Sequence, residues 1–450
     1  MNAKKVFRQN QSQVISILLI TLMVGVAGCA PSTREIPVAP SSSLSPPTST
    51  LTAIPTGPPT ETSIPTATPI PMPTMTPFVP KATIRIVSHS PLSGNYSNFG
   101  TDIMHAAELA IQQLAGPLIE MGYRIELVPY DDKSNIESAV ANANEIIADP
   151  GVLCGVGHFT SSITISASEI YHKAGLPFVS PSSMAAAVTD RGYLEVNRTV
   201  GRTEGQGVAA AQFANAQGFK KVFIISQPWD YGKTIVYTFR NEAVRLEIKV
   251  AGNMATDRMA HFDAIIARVL ATKPDVVYFA ANADQAGTFF REARAAGYMG
   301  AFLGVNAMNT SSLLGLAGPL LVDGGGMYYT DMAAPASYYP AAAKFVEDFQ
   351  NMYGTTPLTY AAQAFDAAGI CLKAIEEASN AKGGDLPTRA EVAKAIRALE
   401  DYGGITGTYN FNKRGDPTLA DYFVYKVVSV DPNKWDQNPV VASFKAPPPK

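Results

Sequence analysis

Two short hydroxyl-rich turns carry the most usable chemistry in this chain. The first runs Gly157-His-Phe-Thr160-Ser161-Ser162, and the second runs Ser180-Pro-Ser182-Ser183. Each follows an apolar run, residues 152–156 and 176–179, of the kind that forms a buried strand. Between them, residues 163–171 carry helical spacing, with Ile163, Ala167 and Ile170 on one side. A helix opening at such a turn presents free backbone N–H groups and a positive dipole end, which suits a carboxylate. In a parallel α/β sheet both turns would lie at the carboxyl ends of neighbouring strands, where such sheets bind ligands. Serine and threonine are also standard helix caps. Taken singly, each turn reads as a cap; the pair on adjacent strands gives a ligand site equal standing.

The elements that must hold these turns belong to a long chain. Its 450 residues exceed one compact core, so two domains or lobes are expected. Hydrophobic residues make up 46% and charged residues 16%, with net charge -3, and no long basic run follows the N-terminal segment. Nothing in that balance points to nucleic acid. His89, His105, His158, His172 and His261 are scattered and form no H-E-x-x-H pair, so neither a metal nor a cofactor is expected. His158 reads as a hydrogen-bonded strand-end residue ahead of a general base. Cys154 and Cys371 stand alone in apolar settings. They read as buried small hydrophobes ahead of a metal pair or a disulfide, although sequence leaves open that they meet in space.

Residues 1–29 read as an export signal. Lys4, Lys5 and Arg8 precede the apolar residues 14–26, a stretch too short to span a membrane. The ending Val26-Ala27-Gly28-Cys29 resembles the lipobox of bacterial lipoproteins, which implies lipidation of Cys29 and anchoring by acyl chains. Residues 30–81 are dominated by Pro, Ser and Thr and lack apolar periodicity. Such a segment cannot bury enough surface to fold and acts as a semi-extended spacer.

From Thr83 the composition changes and strands alternate with helices. Strands are expected near 84–88, 124–130, 152–156 and 176–179, with helices over 100–114 and 135–148, the latter capped by Ser134. A second series follows residue 200, with strands at 221–226, from 249, at 275–280, 301–305 and 327–329. Helices separate them, and further helices cover 340–353, 361–378 and 389–399. Residues 403–410 and 422–430 read as late strands. The alternation implies parallel, doubly wound sheets. There is no dinucleotide G-x-G-x-x-G, no phosphate loop and no G-x-S-x-G elbow, hence no catalytic set.

Several segments together carry a likeness: Ser90-Pro-Leu-Ser-Gly, Val128-Pro-Tyr-Asp-Asp, Gly157-His-Phe-Thr-Ser-Ser, Ser180-Pro-Ser-Ser, Asp190-Arg-Gly-Tyr, Asn197-Arg-Thr, Trp229-Asp-Tyr-Gly and Asp275-Val-Val-Tyr-Phe. In this order and spacing the chain resembles the branched-chain amino acid (Leu/Ile/Val) binding proteins of ABC transporters, from about residue 82 to 430. The resemblance implies an α/β, type I periplasmic binding protein fold, with two doubly wound lobes joined by a three-stranded hinge. Lobe 1 would comprise 82–200 with 331–407, and lobe 2 would comprise 201–330 with 408–440, leaving 441–450 as a tail. Crossings would fall near 200, 329–331 and 407–410.

The likeness also implies a site between the lobes. Ser161 would take a ligand carboxylate, with Ser162 beside it at the helix start. Ser182 and the position of Met184 would supply a carbonyl and a hydroxyl; Ser183 stands next to that methionine. Phe99 and Tyr231 would contact the ligand. Two positions depart from the pattern: the acid that pairs with a ligand ammonium falls on Asn306, and a further aromatic falls at Asn282 or Ala283. A disulfide of some relatives falls on Ser134 and Thr160 and is absent. An uncharged Asn306 favours a small carboxylate or amide with an apolar part over a free α-amino acid, unless Asp230 or Asp284 swings in. The resemblance implies a monomeric, non-enzymatic, extracytoplasmic lipoprotein, held to the membrane by its lipid alone, that captures an amino acid or derivative for an ABC permease. A ligand-sensing lipoprotein of the same fold, feeding a signalling receptor, is the alternative.

Overall fold

Apolar runs that alternate with amphipathic helices settle into two separate sheets. The computed structural model describes residues 79–449. Cys29, the export signal and nearly all of the Pro-rich spacer therefore lie outside the described residues. Among the described residues no helix is long and apolar enough to cross a membrane.

The first sheet is built from β1 (Ala82–Ser90), β2 (Tyr123–Asp131), β3 (Val152–Gly157), β4 (Phe178–Ser180) and β5 (Val196–Arg198). Its order is β2-β1-β3-β4-β5 and every pairing is parallel. The connections are α1 (Ser97–Leu114), α2 (Gly116–Glu120), α3 (Ile136–Ala148) and α4 (Ser161–Lys173). β3 is buried at all six positions, as a central parallel strand covered on both faces must be. The cap of α3 is Asn135, whose side chain accepts from the Ser138 N–H, and not Ser134 as the pattern predicted.

The chain then enters the second sheet through α5 (Gly205–Ala216), β6 (Lys221–Ser226), α6 (Asp230–Arg245), β7 (Lys249–Ala255), α7 (Asp263–Thr272), β8 (Val276–Ala280), α8 (Ala283–Ala295), β9 (Ala301–Gly304), α9 (Ser312–Ala317) and β10 (Met327–Asp331). After β10 it returns to the first sheet as α10 (Ala343–Tyr353), α11 (Ala361–Asn380) and α12 (Arg389–Ala398), with α11 packed along α1. A small hairpin, β11 (Tyr402–Gly403) and β12 (Thr408–Tyr409), precedes β13 (Ala420–Val427) and β14 (Val440–Ala446). The second sheet runs β14-β13-β10-β9-β8-β6-β7, with β13 antiparallel to both β10 and β14.

Two expectations are corrected here. The late strand at 403–410 is a separate two-residue hairpin, because Gly404 and Gly407 turn the chain back at once and pair with each other. The supposed tail is β14, which pairs with β13 from Ala446 back to Val440; its alternating exposure is that of an edge strand with one face on the sheet's helices.

The cysteine expectation is also overturned. Cys154 of β3 and Cys371 of α11 form a disulfide across a sequence separation of 217, with Cα atoms 5.8 Å apart. α11 lies on the central strand and turns Cys371 inward, so the two apolar settings are one setting. The bond ties the returning helix to the first sheet.

Candidate functional site

The carboxyl ends of β1, β3 and β4 hold the two serine turns against each other. Gly157 ends β3 at φ +136°, and a Cβ there would fall 2.0 Å from the carbonyl oxygen of His89, so only glycine brings the strands this close. The next carbonyl, that of His158, accepts the hydroxyls of Ser180, Ser182 and Ser183 at 3.3, 3.2 and 3.3 Å. Ser182 donates also to the Phe159 carbonyl at 2.9 Å. Ser183 Oγ meets Thr164 Oγ1 at 2.7 Å. The second turn is thereby clamped onto the first.

Ser161 stands at the first position of α4. Its Oγ accepts the backbone N–H groups of Met184 and Ala185, each at 3.1 Å. A serine hydroxyl that accepts twice still has its own proton to donate. The preceding residue, Thr160, makes no side-chain cap, which leaves the first-turn N–H groups of this 13-residue helix free of a side-chain partner. A donated hydroxyl and a helix N-terminus at one point make an anion-binding corner.

An aromatic wall rises beside it. Phe99, on the first turn of α1, stacks on Phe159 with centroids 4.9 Å apart, and Tyr360 meets the same ring edge-on at 6.0 Å. Tyr360 sits just ahead of α11 at φ +79°, a region bulky residues avoid, and this turns its ring toward the wall.

The second sheet faces this corner with amides and a phenol. The Tyr231 hydroxyl, in the first turn of α6, donates to Asn306 Oδ1 at 2.9 Å. Gln206 Nε2 donates to the same oxygen at 2.9 Å, while its own Oε1 accepts from the Asn306 N–H at 2.8 Å and the Thr330 hydroxyl at 2.9 Å. Burial pushes the Tyr231 pKa well up, so the phenol stays a neutral donor. Asn306 Nδ2 reaches the sulfur of Met184, 3.8 Å away, the contact that spans the two sheets' edges.

Known proteins share this chain's sequence pattern and its pair of sheets. A family model described as periplasmic binding protein matches residues 83–432. The chain belongs to the periplasmic binding protein family. A Pseudomonas aeruginosa protein named as a leucine-, isoleucine-, valine-, threonine- and alanine-binding protein is 29% identical over 348 residues, 76% of this chain and 90% of that one. The crystal structure of a leucine-binding protein from Thermotoga maritima aligns over 80% of this chain and 98% of its own, with 25% identity and a TM-score of 0.61. A solute-binding protein from R. palustris, solved with benzoate, shares the fold at 21% identity and a TM-score of 0.57, over 81% of this chain and 97% of its own. This periplasmic binding protein thus has type I lobes and stands with the non-enzymatic substrate-binding proteins.

Much of the family likeness turns out to be scaffolding. Asp131 accepts the N–H groups of Leu92 and Ser93 at 2.8 and 3.2 Å, which folds the Ser90-Pro-Leu-Ser-Gly turn. Arg198 is fully buried; it donates to Asp416 at 2.8 Å and to the carbonyls of Ser183 and Ala185 at 2.9 and 3.0 Å. Burial pushes the Asp416 carboxyl up, but Arg198, Thr189 and Arg202 outweigh it and hold the group below its ordinary range. This pair braces the serine turn from behind.

Of the predicted residues, the structure brings Ser161, Ser182 and Ser183 together, joins Tyr231 to Asn306, and sets Phe99 on the wall. Ser162 follows on α4 as an exposed residue. Asn282 is not brought in: it is exposed and its side chain caps α8 by accepting the Gln285 N–H at 2.9 Å. Asp230 and Asp284 are exposed as well. Sequence reasoning missed Phe159, Gln206, Tyr360 and Asp331. The aromatic beside Ser161 was the one available signal; the other three gain meaning only from partners distant in sequence.

His89, Asp132 and His158 bring possible ligand atoms within 4.8 Å of one another, all buried. Most of that donor set is already engaged: His158 Nδ1 bonds Asp132 at 2.8 Å, His89 Nδ1 bonds the Tyr171 hydroxyl at 2.7 Å, and Asn142 reaches His89 Nε2 at 3.3 Å. The cluster fits a polar pillar beneath the serine turns, as the strand-end reading of His158 anticipates.

Proposed function

We propose that this periplasmic binding protein is lipid-anchored through Cys29 outside the cytoplasmic membrane. It captures a small carboxylate, an amino acid or a related amide or acid, between two lobes and delivers it to an ABC permease. Lobe 1 comprises residues 82–200 with 331–407, and lobe 2 comprises 201–330 with the strands after 408. The Pro-rich spacer gives the lobes reach from the bilayer.

One observation carries the reading: Ser161 Oγ, pinned by the Met184 and Ala185 N–H groups, stands with a free proton at a helix start that has no side-chain cap. A ligand carboxylate there accepts the hydroxyl and the helix N–H groups, while its apolar part lies on Phe99, Phe159 and Tyr231. Contacts made only when both lobes meet the ligand drive closure. The relatives named for leucine and related amino acids, and the benzoate complex of the same fold, support a carboxylate. A thermal-shift panel of amino acids, amides and aromatic acids tests this. A rise in melting temperature with carboxylates, and none with the matching methyl esters, is expected; equal response to the esters removes the carboxylate corner from the site.

A further inference from the structure

We propose that Asp331 recognises a positively charged amine on the ligand, the role that the family likeness gives to position 306. The inference rests on the solute-binding reading above and names the second pole of that site. Asn306 is poorly suited to the task. It carries no charge, its Oδ1 already accepts from Tyr231 and Gln206, and its nitrogen lies against Met184.

Asp331 ends β10 where the chain leaves the second sheet, and it is 2% exposed. Asn309 Nδ2 donates to Oδ2 at 2.9 Å and the Met332 N–H donates to Oδ1 at 2.7 Å. Among the described residues no Lys, Arg or His forms an ion pair with it. The titratable groups that face it are the phenols of Tyr231 on α6, Tyr360 ahead of α11, Tyr329 on β10 and Tyr425 on β13. A buried carboxylate without a countercharge is unfavourable by itself, and burial pushes its pKa up to about 6. A ligand ammonium would supply the missing charge, with tyrosine faces as further partners.

The placement suits a dipolar ligand. Phe159 stands two residues before Ser161, and its ring meets Tyr360, whose hydroxyl neighbours Asp331. The carboxylate corner and the buried acid therefore sit at the two ends of one aromatic wall. The competing role is that of a hinge brace, in which Asp331 only orders Asn309 and Tyr360.

Calorimetry on the full chain separates the two. The probes are L-leucine with 4-methylpentanoate, and L-phenylalanine with 3-phenylpropanoate, each pair differing by the amine. Wild type is expected to bind the amine-bearing member at least about tenfold tighter, as a charge-assisted bond worth roughly 1.5–3 kcal/mol implies. Asp331→Asn should bring that ratio to about one while the des-amino acids keep their affinity. Equal or tighter binding of the des-amino acids by wild type overturns the proposal, as does an unchanged ratio in the variant. Binding of none of the four overturns both this inference and the carboxylate reading; binding without preference overturns this one alone. Should Asp331→Asn fail to fold, wild type carries the test: the ratio should shrink between about pH 8 and about pH 5 as the carboxylate takes a proton, and a constant ratio rejects the assignment.

Discussion

The amide nitrogen of Asn306 and the sulfur of Met184 lie 3.8 Å apart, joining a loop of the first sheet to a loop of the second. These are the two positions where the family likeness expects an acid and a hydroxyl. Here they are a neutral amide and a soft thioether in contact with each other. A thioether is a weak acceptor and fills irregular gaps readily. The contact therefore acts as an apolar latch between lobes where the likeness implies polar ligand-binding groups.

Replacing that latch tests its role. Met184→Thr removes the sulfur contact and offers a hydroxyl next to Ser183. Affinity for a small amino acid should rise by about twofold to tenfold, the range for a neutral hydrogen bond of roughly 0.5–1.5 kcal/mol. Calorimetry against leucine or alanine reads this directly. A fall in affinity would mean that Met184 packs on the ligand itself.

Ser161→Ala removes one hydroxyl and leaves the Met184 and Ala185 N–H groups without their acceptor. An unsatisfied partly buried donor costs about 1–3 kcal/mol, so both the turn and the ligand corner should weaken. The expected outcome is at least about a tenfold loss of affinity, with a fall of a few degrees in melting temperature. Ser162→Ala, on the exposed neighbour, should change neither. Equal effects of the two variants would place the hydroxyl chemistry elsewhere.

The first sheet, α4 and the two serine turns were legible because each depends on residues close in sequence: an apolar run, a small-residue turn, a helical stripe. The family likeness pointed to Ser161, Met184, Tyr231 and Asn306 singly, while the contacts Ser161 makes with Met184 and Tyr231 with Asn306 come from the fold. What escaped depends on partners far apart in the chain. Cys154 and Cys371 each look like small hydrophobes until α11 lies across β3. Asp331 follows Tyr-Tyr-Thr at a strand end and carries no local mark; Asn309, Tyr360 and Tyr231 give it meaning. β14 alternates weakly and has a polar outer face, so it resembles a tail until β13 pairs with it. Asn282 was placed at the site by likeness, while its real task, capping α8, is the ordinary one for an asparagine at a helix start.

The disulfide closes a loop of sequence separation 217, one that contains the whole β/α series of the second sheet. Restricting so long a loop in the unfolded chain stabilises the fold by roughly 2–5 kcal/mol. Cys154→Ser with Cys371→Ser, or reduction of the wild type, should lower the melting temperature by several degrees. Ligand affinity should change little, since neither cysteine touches the site. An unchanged transition on reduction would mean that the thiols do not pair in solution.

His89 makes acid the weak side of this fold. Burial, then the charge of His158, holds its pKa well below the ordinary value. The ring bonds Tyr171 and Asn142, faces Tyr130 at 6.0 Å and faces His158, which pairs with Asp132. Above about pH 6.5 both the folded and the unfolded chain keep this histidine neutral. Below it the unfolded chain takes a proton that the folded chain refuses, so stability falls with pH at up to about 1.4 kcal/mol per unit. Asp331 and Asp366, whose carboxyls burial pushes up to about 6, act with the opposite sign. Their contribution is present in acid and is lost as pH rises from about 3.8 through 6. Comparing wild type with His89→Gln cancels the carboxylates. In urea unfolding between about pH 7 and about pH 5, wild type should lose roughly 1–2 kcal/mol more than the variant. Parallel losses would show that the proton enters elsewhere.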